Sequence, residues 1–233
     1  MFHIKMKYKH LTLIGTSHIA KESLKEVEEA IVREKPVLVC VELDRKRAYA
    51  LIHNIKGRIR ISDIPKIGVK GYLFALLGAW AERKLGDYVG MSPGDEMKRA
   101  MAVAKREKIK VAFIDQDIEI TLKKLSKALT WTEKWHFVVD LFKGFVLRDK
   151  KYQFDLNKVP SKDIIAKMIK EVKVRYPNLY RVLVEERNVF MAKKLIKLMK
   201  EFEGKPIVAV VGAGHEEEMI SIMKGKVGKI DVV

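Results

Sequence analysis

Two stretches, LTLIGTSH (residues 11–18) and IVAVVGAGH (207–215), decide how this chain is read. Each is a run of strand-forming residues that breaks at a glycine and reaches a histidine three positions later: Gly15 to His18, and Gly212 to His215. Short apolar runs of this kind suit strands buried on both faces. SHIAKESLKEVEEAIVREK (17–35) follows with helical periodicity, and Ser17 is placed to cap that helix. VLVCVEL (37–43) reads as a second buried strand, with a helix at about 44–56. KGRIRISDIPKIG (56–68) reads as a connection of turns with room for one short strand, followed by an apolar helix at 69–85, a Pro-Gly break at 93–94 and a helix at 95–107. KVAFID (110–115) is a third strand, and helical patterns run from 118 to 147. A polar excursion (149–162) leads to helices at 161–175 and 178–203. KPIVAVVG (205–212) is the late strand, HEEEMISIMK a short helix, and GKIDVV an edge strand.

Strands separated by helices predict an α/β fold with a mostly parallel or mixed sheet covered by helices. The chain is expected to form a single domain over 1–233, with two pseudo-symmetric strand-G-x-x-H-helix units and a helical cap at about 116–203.

Composition narrows the class. Hydrophobic residues at 48% and charged residues at 33% fit a globular chain and exclude a disordered one. The one cysteine, Cys40, lies inside an apolar run, so a disulfide framework is excluded and a reducing cytoplasm is the expected compartment. GYLFALLGAWA (71–81) is shorter than the roughly 20 residues that span a bilayer, so no membrane span is expected. The formal charge of +17 invites a nucleic-acid reading. The basic residues, however, are spread through helical segments beside acids, and no nucleic acid partner is expected. Many Lys and Glu with two Gln fit a heat-adapted, archaeal or thermophilic source.

In open α/β sheets, ligands gather beyond the carboxyl ends of the strands. His18, Glu42 and His215 all stand at such ends, and Asp115 closes the third strand. Glycine at each motif supplies a turn with free φ, with Gly214 in the second turn as well. Two imidazoles and a carboxylate suit a divalent metal such as zinc or manganese. The competing reading of a single Gly-x-x-His is an ordinary surface or hydrogen-bonded histidine. Glu216, Glu217 and Glu218 need only be first-turn acids favoured by the helix dipole. HEEEM is not the H-E-x-x-H of metalloproteases, and GAGHEE lacks the third glycine of a dinucleotide loop, so no nucleotide is expected.

The ordered blocks GTSH (15–18), CVELDRKR (40–47), PGDEMKRAMAVAK (93–105), FIDQDIEITL (113–122), EERNVFMAKKL (185–195) and VVGAGH (210–215) resemble the TraB/PrgY family. That family is similar to the Tiki proteases and, more distantly, to erythromycin-esterase-like and ChaN-like proteins. The resemblance implies a site of His18, Glu42, Glu96, Arg187 and His215, with Arg47 and Asp115 nearby. Asn188 stands where TraB/PrgY sequences usually carry Asp, and Arg-Asn is closer to the Tiki-like pattern. Many TraB/PrgY members carry carboxyl-terminal membrane helices, and no such membrane-tethered role is expected here.

The implied function is metal-dependent hydrolysis of peptide bonds with Mn, Co or Zn. His18 and His215 would hold the metal, and Glu42 would be a third ligand or the base. Glu96 would donate a proton to the leaving amine, and Arg187 would stabilise an oxyanion. For Arg187 the alternative is a salt bridge to Glu42 or Glu96 that only organises the fold. For Glu96 it is a surface acid at a helix start. The alternative function is a non-catalytic binder that sequesters a small apolar peptide or haem-like ligand in the same cleft. Trp131, Trp135, Phe137, Phe142 and Phe145 recur at helical spacing and are expected to form core plus the contact of a homodimer, with a basic interfacial helix or a hydrophobic peptide groove as the alternatives.

Overall fold

The computed structural model describes residues 5–16, 21–55, 65, 94–146 and 170–225. A five-stranded sheet lies at its centre, formed by β1 (Lys5–Tyr8), β2 (Leu11–Thr16), β3 (Leu38–Val41), β4 (Lys110–Phe113) and β5 (Ile207–Gly212). The strand order is β1-β2-β5-β3-β4. β1 pairs antiparallel to β2, and the other neighbours are parallel. The sheet is therefore mixed and mostly parallel, as the strand and helix alternation predicts. β1 is an element that the sequence pattern did not reveal. KMKY carries no apolar run, and its turn back to β2 places Lys9 at φ 52°.

The apolar runs become strands because both of their faces are covered. On one face Leu11, Leu13, Leu38, Cys40, Ile207, Ala209 and Val211 pack against Met191, Leu195, Met219 and Met223. Those last four residues lie on α7 (Glu186–Glu201) and α8 (Glu216–Met223). On the other face Ile14, Val39, Val41, Val208 and Val210 pack against Val27, Ile31, Met97 and Ala100. These belong to α1 (Lys21–Glu34) and α3 (Asp95–Arg106). Residues i and i+2 of each strand thus serve one layer, and the intervening residues serve the other.

The helical patterns over 118–147 form two helices, α4 (Ile118–Ala128) and α5 (Trp131–Val146). Thr130 and Glu133 explain the break. Glu133 Oε2 accepts from the Thr130 N–H at 3.0 Å, and the Thr130 hydroxyl accepts from the Glu133 N–H at 3.3 Å, which is the reciprocal cap that starts a helix. The same carboxylate also takes the Asn178 N–H at 2.7 Å, at the start of α6 (Pro177–Tyr180). Glu133 is buried, and its hydrogen bonds outweigh that burial and hold its carboxyl below the usual range.

Trp131 and Trp135 do not join the core; they are 82% and 68% exposed. The side of α5 that meets the protein carries Glu133 and Asp140, which are bonded to α6 and to Arg175 and Tyr176, so the tryptophans turn outward. Phe137 is half-buried, and the side chains of Phe142 and Phe145 lie outside the described residues. The expected turns at 56–68, the helix at 69–85, the excursion at 149–162 and the edge strand GKIDVV also lie outside them, apart from the single residue Pro65.

The expected helix at 178–203 is continuous but not uniform. α6 passes into a π segment (Arg181–Glu185) and then into α7. Val182 in the π segment packs with Leu125 and Leu129. The positive charge is spread over several elements. Arg99 and Arg106 meet Glu28, Lys46 meets Asp117 and Glu119, and Lys124 meets Glu186.

Candidate active site

At the carboxyl ends of β3, β4 and β5 the chain delivers charged residues one after another. β3 continues into Glu42, whose N–H donates to the Val210 carbonyl at 3.1 Å, so the strand is still paired as the side chain leaves the sheet. Glu42 Oε2 accepts from the Gly212 N–H at 2.7 Å, and Oε1 accepts from Arg187 Nη2 at 2.5 Å. Beyond β4, the Asp115 N–H reaches the Leu43 carbonyl at 3.3 Å, and its side chain is fully buried. Asp115 receives the Arg187 fork, Nε to Oδ1 at 3.1 Å and Nη2 to Oδ2 at 2.6 Å. Its Oδ2 also takes Arg47 Nη2.

Arg47 is held in turn by Asp44, whose Oδ2 accepts from Nε at 2.6 Å. Asp44 Oδ1 caps α2 (Arg45–Ile52), taking the N–H groups of Lys46 and Arg47 at 2.8 and 2.9 Å. The block DRKR therefore reads as one device: the aspartate starts the helix and fixes the arginine one turn along. Arg187 lies at the start of α7, just past the π segment, and its Nη1 donates to the Leu183 carbonyl at 3.0 Å. Five N–H donors sit on a guanidinium. Among the described residues four are engaged, by Asp115 twice, Glu42 once and Leu183 once, which leaves one Nη1 hydrogen.

These contacts set the protonation states. Burial works against ionisation of Glu42, but His215, Arg187 and the Gly212 N–H outweigh it and hold the carboxyl far below its usual range. Burial likewise opposes the charge of Asp115, and Arg187 and Arg47 overcome it, so Asp115 is also held low. For Arg187, burial disfavours the charge while Asp115 and Glu42 raise its pKa above the usual arginine value.

His215 follows β5 through a tight turn, its N–H donating to the Gly212 carbonyl at 2.9 Å. Its ring is mostly buried. Nδ1 lies 2.6 Å from Asn188 Oδ1, and Nε2 lies 3.2 Å from Glu42 Oε1. Asn188 is wholly buried and donates through Nδ2 to Glu218 Oε2 at 2.8 Å. The β2 end adjoins this turn, since the Ala213 N–H donates to the Thr16 carbonyl at 2.8 Å. In register Thr16 faces Gly212 and Gly15 faces Val211, so the two motifs emerge side by side, offset by one residue.

Gly15 and Gly212 do not serve as free-φ turns. Both end within their strands, and neither has a positive φ. Gly212 supplies its N–H to Glu42. Gly15 admits the buried Glu216 carboxylate, because a Cβ there would lie 1.8 Å from Glu216 Oε2. Gly214 sits in the turn before His215, likewise without a positive φ.

Of the expected site residues, Glu42, Arg47, Asp115, Arg187, Asn188, Gly212 and His215 come together. His18 and Ser17 lie outside the described residues. Glu96 is not a surface acid: it is wholly buried in the first turn of α3. Among the described residues, it takes no part in the hydrogen bonds that join Glu42, Asp115, Arg187 and His215. Sequence reasoning missed Glu218 and Asp44. An acid three residues after His215 looked like any first-turn glutamate, whereas Asp44 before a helical run carried a readable cap signal.

A family model for TraB/PrgY/gumN proteins matches residues 1–218. An uncharacterised protein of Methanocaldococcus jannaschii is 37% identical over 218 residues, covering 91% of this chain and 53% of that protein. A TraB domain-containing protein of Bos taurus is 26% identical over 228 residues, covering 87% of this chain and 59% of its own length. Its counterpart in Homo sapiens is 25% identical over 231 residues, with 87% and 60% covered. The chain thus spans somewhat more than half the length of these relatives.

Proposed function

This chain belongs to the TraB/PrgY/gumN family, and we propose that it hydrolyses peptide bonds with a divalent metal ion at the carboxyl ends of β2, β3 and β5. The observation that carries the reading is the His215 ring, held at Nδ1 by Asn188 with Nε2 turned to Glu42 Oε1 at 3.2 Å. Two donors bonded to one zinc at about 2.0–2.2 Å each would stand roughly this far apart. Imidazole nitrogen and carboxylate oxygen are also suitable donors for Zn, Mn or Co. The described residues gather no set of three His, Cys, Asp or Glu that could hold a metal, so the third ligand in this reading is His18. When bound, such an ion polarises a scissile carbonyl and brings the pKa of a water towards about 7.

The surrounding groups divide the remaining work. The Gly212 N–H and Arg187 keep Glu42 ionised, the form that a metal ligand or a general base needs. Arg187 keeps Glu42 and Asp115 in place and, among the described residues, has one Nη1 hydrogen left for substrate. Asp115 and Arg47 brace Arg187 from behind.

A second reading, a cleft that binds an apolar peptide or haem-like ligand without turnover, is favoured by the same saturation. Both Glu42 oxygens and four Arg187 donors are already occupied by the protein itself.

Titration of Mn²⁺, Co²⁺ and Zn²⁺ into chelator-stripped protein tests the proposal, together with multiple-turnover cleavage of a peptide library. Wild type should take up one ion, His215→Ala and His18→Ala should lose it, and Glu42→Gln should weaken it at least tenfold. Equal uptake by wild type and the double His→Ala variant would sink the metal site. Ion uptake without turnover would leave the binder as the function.

A further inference from the structure

We infer that Glu218 and Asn188 act as a positioning pair that fixes the proton of His215 on Nδ1, so that Nε2 is the nitrogen offered to the site. The inference rests on hydrogen-bond geometry: Nδ1 lies 2.6 Å from Asn188 Oδ1, whereas the competing acceptor of the ring proton, the Glu42 carboxylate, lies 3.2 Å from Nε2.

His215 is the N-cap of α8, and Glu218 is the third residue of that helix. Residues at these two places ordinarily cap the helix reciprocally: the first bonds the N–H of the third, and a glutamate at the third reaches back to the N–H of the first. Neither bond is made here. The His215 side chain makes no capping hydrogen bond, and its backbone N–H goes to the Gly212 carbonyl. Both side chains are directed instead to Asn188, on the neighbouring helix α7. The helix forgoes an available cap, and the two side chains meet a third that is wholly buried.

On the Nδ1 side, chemistry leaves one arrangement of the amide. A carboxylate only accepts, and an amide has one donating end and one accepting end. Asn188 must therefore present Nδ2 to Glu218, at 2.8 Å, and Oδ1 to His215, at 2.6 Å. The reverse amide would set its oxygen against a carboxylate oxygen at hydrogen-bond distance. Burial at 0% exposure keeps water from substituting for either partner. Because Oδ1 accepts, the His215 Nδ1 must donate. This is how the bond made at one imidazole nitrogen determines the chemistry of the other. Glu218 thus acts on His215 through two hydrogen bonds.

The test is ¹⁵N NMR of chelator-treated protein labelled at the histidine ring nitrogens, at an alkaline pH, with the His215 signals assigned by their loss in His215→Gln. Wild type should show a pyrrole-type Nδ1. In Glu218→Gln the new amide can donate as well as accept, so Asn188 is free to turn over. A pyridine-type Nδ1 population should then appear. Adding Asn188→Asp should restore the wild-type pattern, because an aspartate accepts from Nδ1 whichever way it faces. A pyridine-type Nδ1 in wild type, a Glu218→Gln spectrum identical to wild type, or a double variant that stays mixed would overturn the inference. If Glu218→Gln does not fold, the wild-type spectrum decides alone. Metal uptake plays no part in this readout, so its failure and that of the proposed metal site are separable.

Discussion

At the end of β5, Gly212 contributes a donor; at the end of β2, Gly15 contributes room. The two strands are parallel neighbours with the same G-x-x-H spelling, and their turns are tied by the bond from the Ala213 N–H to the Thr16 carbonyl. The β5 end is nevertheless an electrostatic construction, in which the Gly212 N–H and Arg187 neutralise a buried carboxylate. The β2 end is a steric one, in which the missing Cβ of Gly15 accommodates a carboxylate sent from the other motif's helix. A repeated motif shows that two segments occupy equivalent places in the fold. It does not show that they are stabilised in the same way.

Charge removal is the strongest way to break the comparison. Arg187→Ala leaves Glu42 and Asp115 buried without their shared cation, and losing one partner of a buried pair costs about 3–5 kcal/mol. Urea unfolding at neutral pH should show this loss. A change below about 1 kcal/mol would mean that the β5 end is not held by charge.

A methyl group at the other end should have the next largest effect. Gly15→Ala drives a Cβ into the Glu216 carboxylate, and overpacking of this kind costs about 1–3 kcal/mol. In a Glu216→Ala background the same substitution should cost far less. Additive losses in this double-mutant cycle would mean that Gly15 is needed for some reason other than Glu216.

The smallest effect separates the two ends by pH. The folded pKa of Asp115 is lowered, so its stabilising contribution is complete above its ordinary range near about 4 and is lost as pH falls through the depressed value. Wild type should therefore lose stability on acidification below about pH 4 more steeply than Asp115→Asn does. Parallel acid curves for the two proteins would contradict the charge account of the β5 end.

The sheet was legible because LTLI, VLVCV and IVAVV are apolar on both faces, and only strands covered from both sides use such runs. β1 was not, because four alternating residues carry too little pattern. The meeting of Glu42, Asp115, Arg47 and Arg187 followed from matched blocks far apart in sequence, which no local periodicity could join. The reason for Gly15 was hidden, since glycine looks the same whether it serves a turn or makes room for a neighbour. Glu218 was hidden for a similar reason: its partner, Asn188, lies on a different helix. The break between α4 and α5 was left unplaced although T-x-x-E at 130–133 spells a helix start, because the apolar period continues across it.

The π segment at Arg181–Glu185 determines which way the following residues face. Each residue of an α-helix advances the chain by about 100°, so the one extra residue that a π turn holds shifts the phase of everything after it by that amount. Leu179, before the offset, packs against the Leu125, Leu129 and Val182 cluster, and Arg187 and Asn188, after it, reach the strand ends. A uniform α-helix through the same points could keep the first appointment or the second, but not both. The irregular turn is a vernier between a packing surface and a reactive one, and it lets a single rod of backbone serve two clocks.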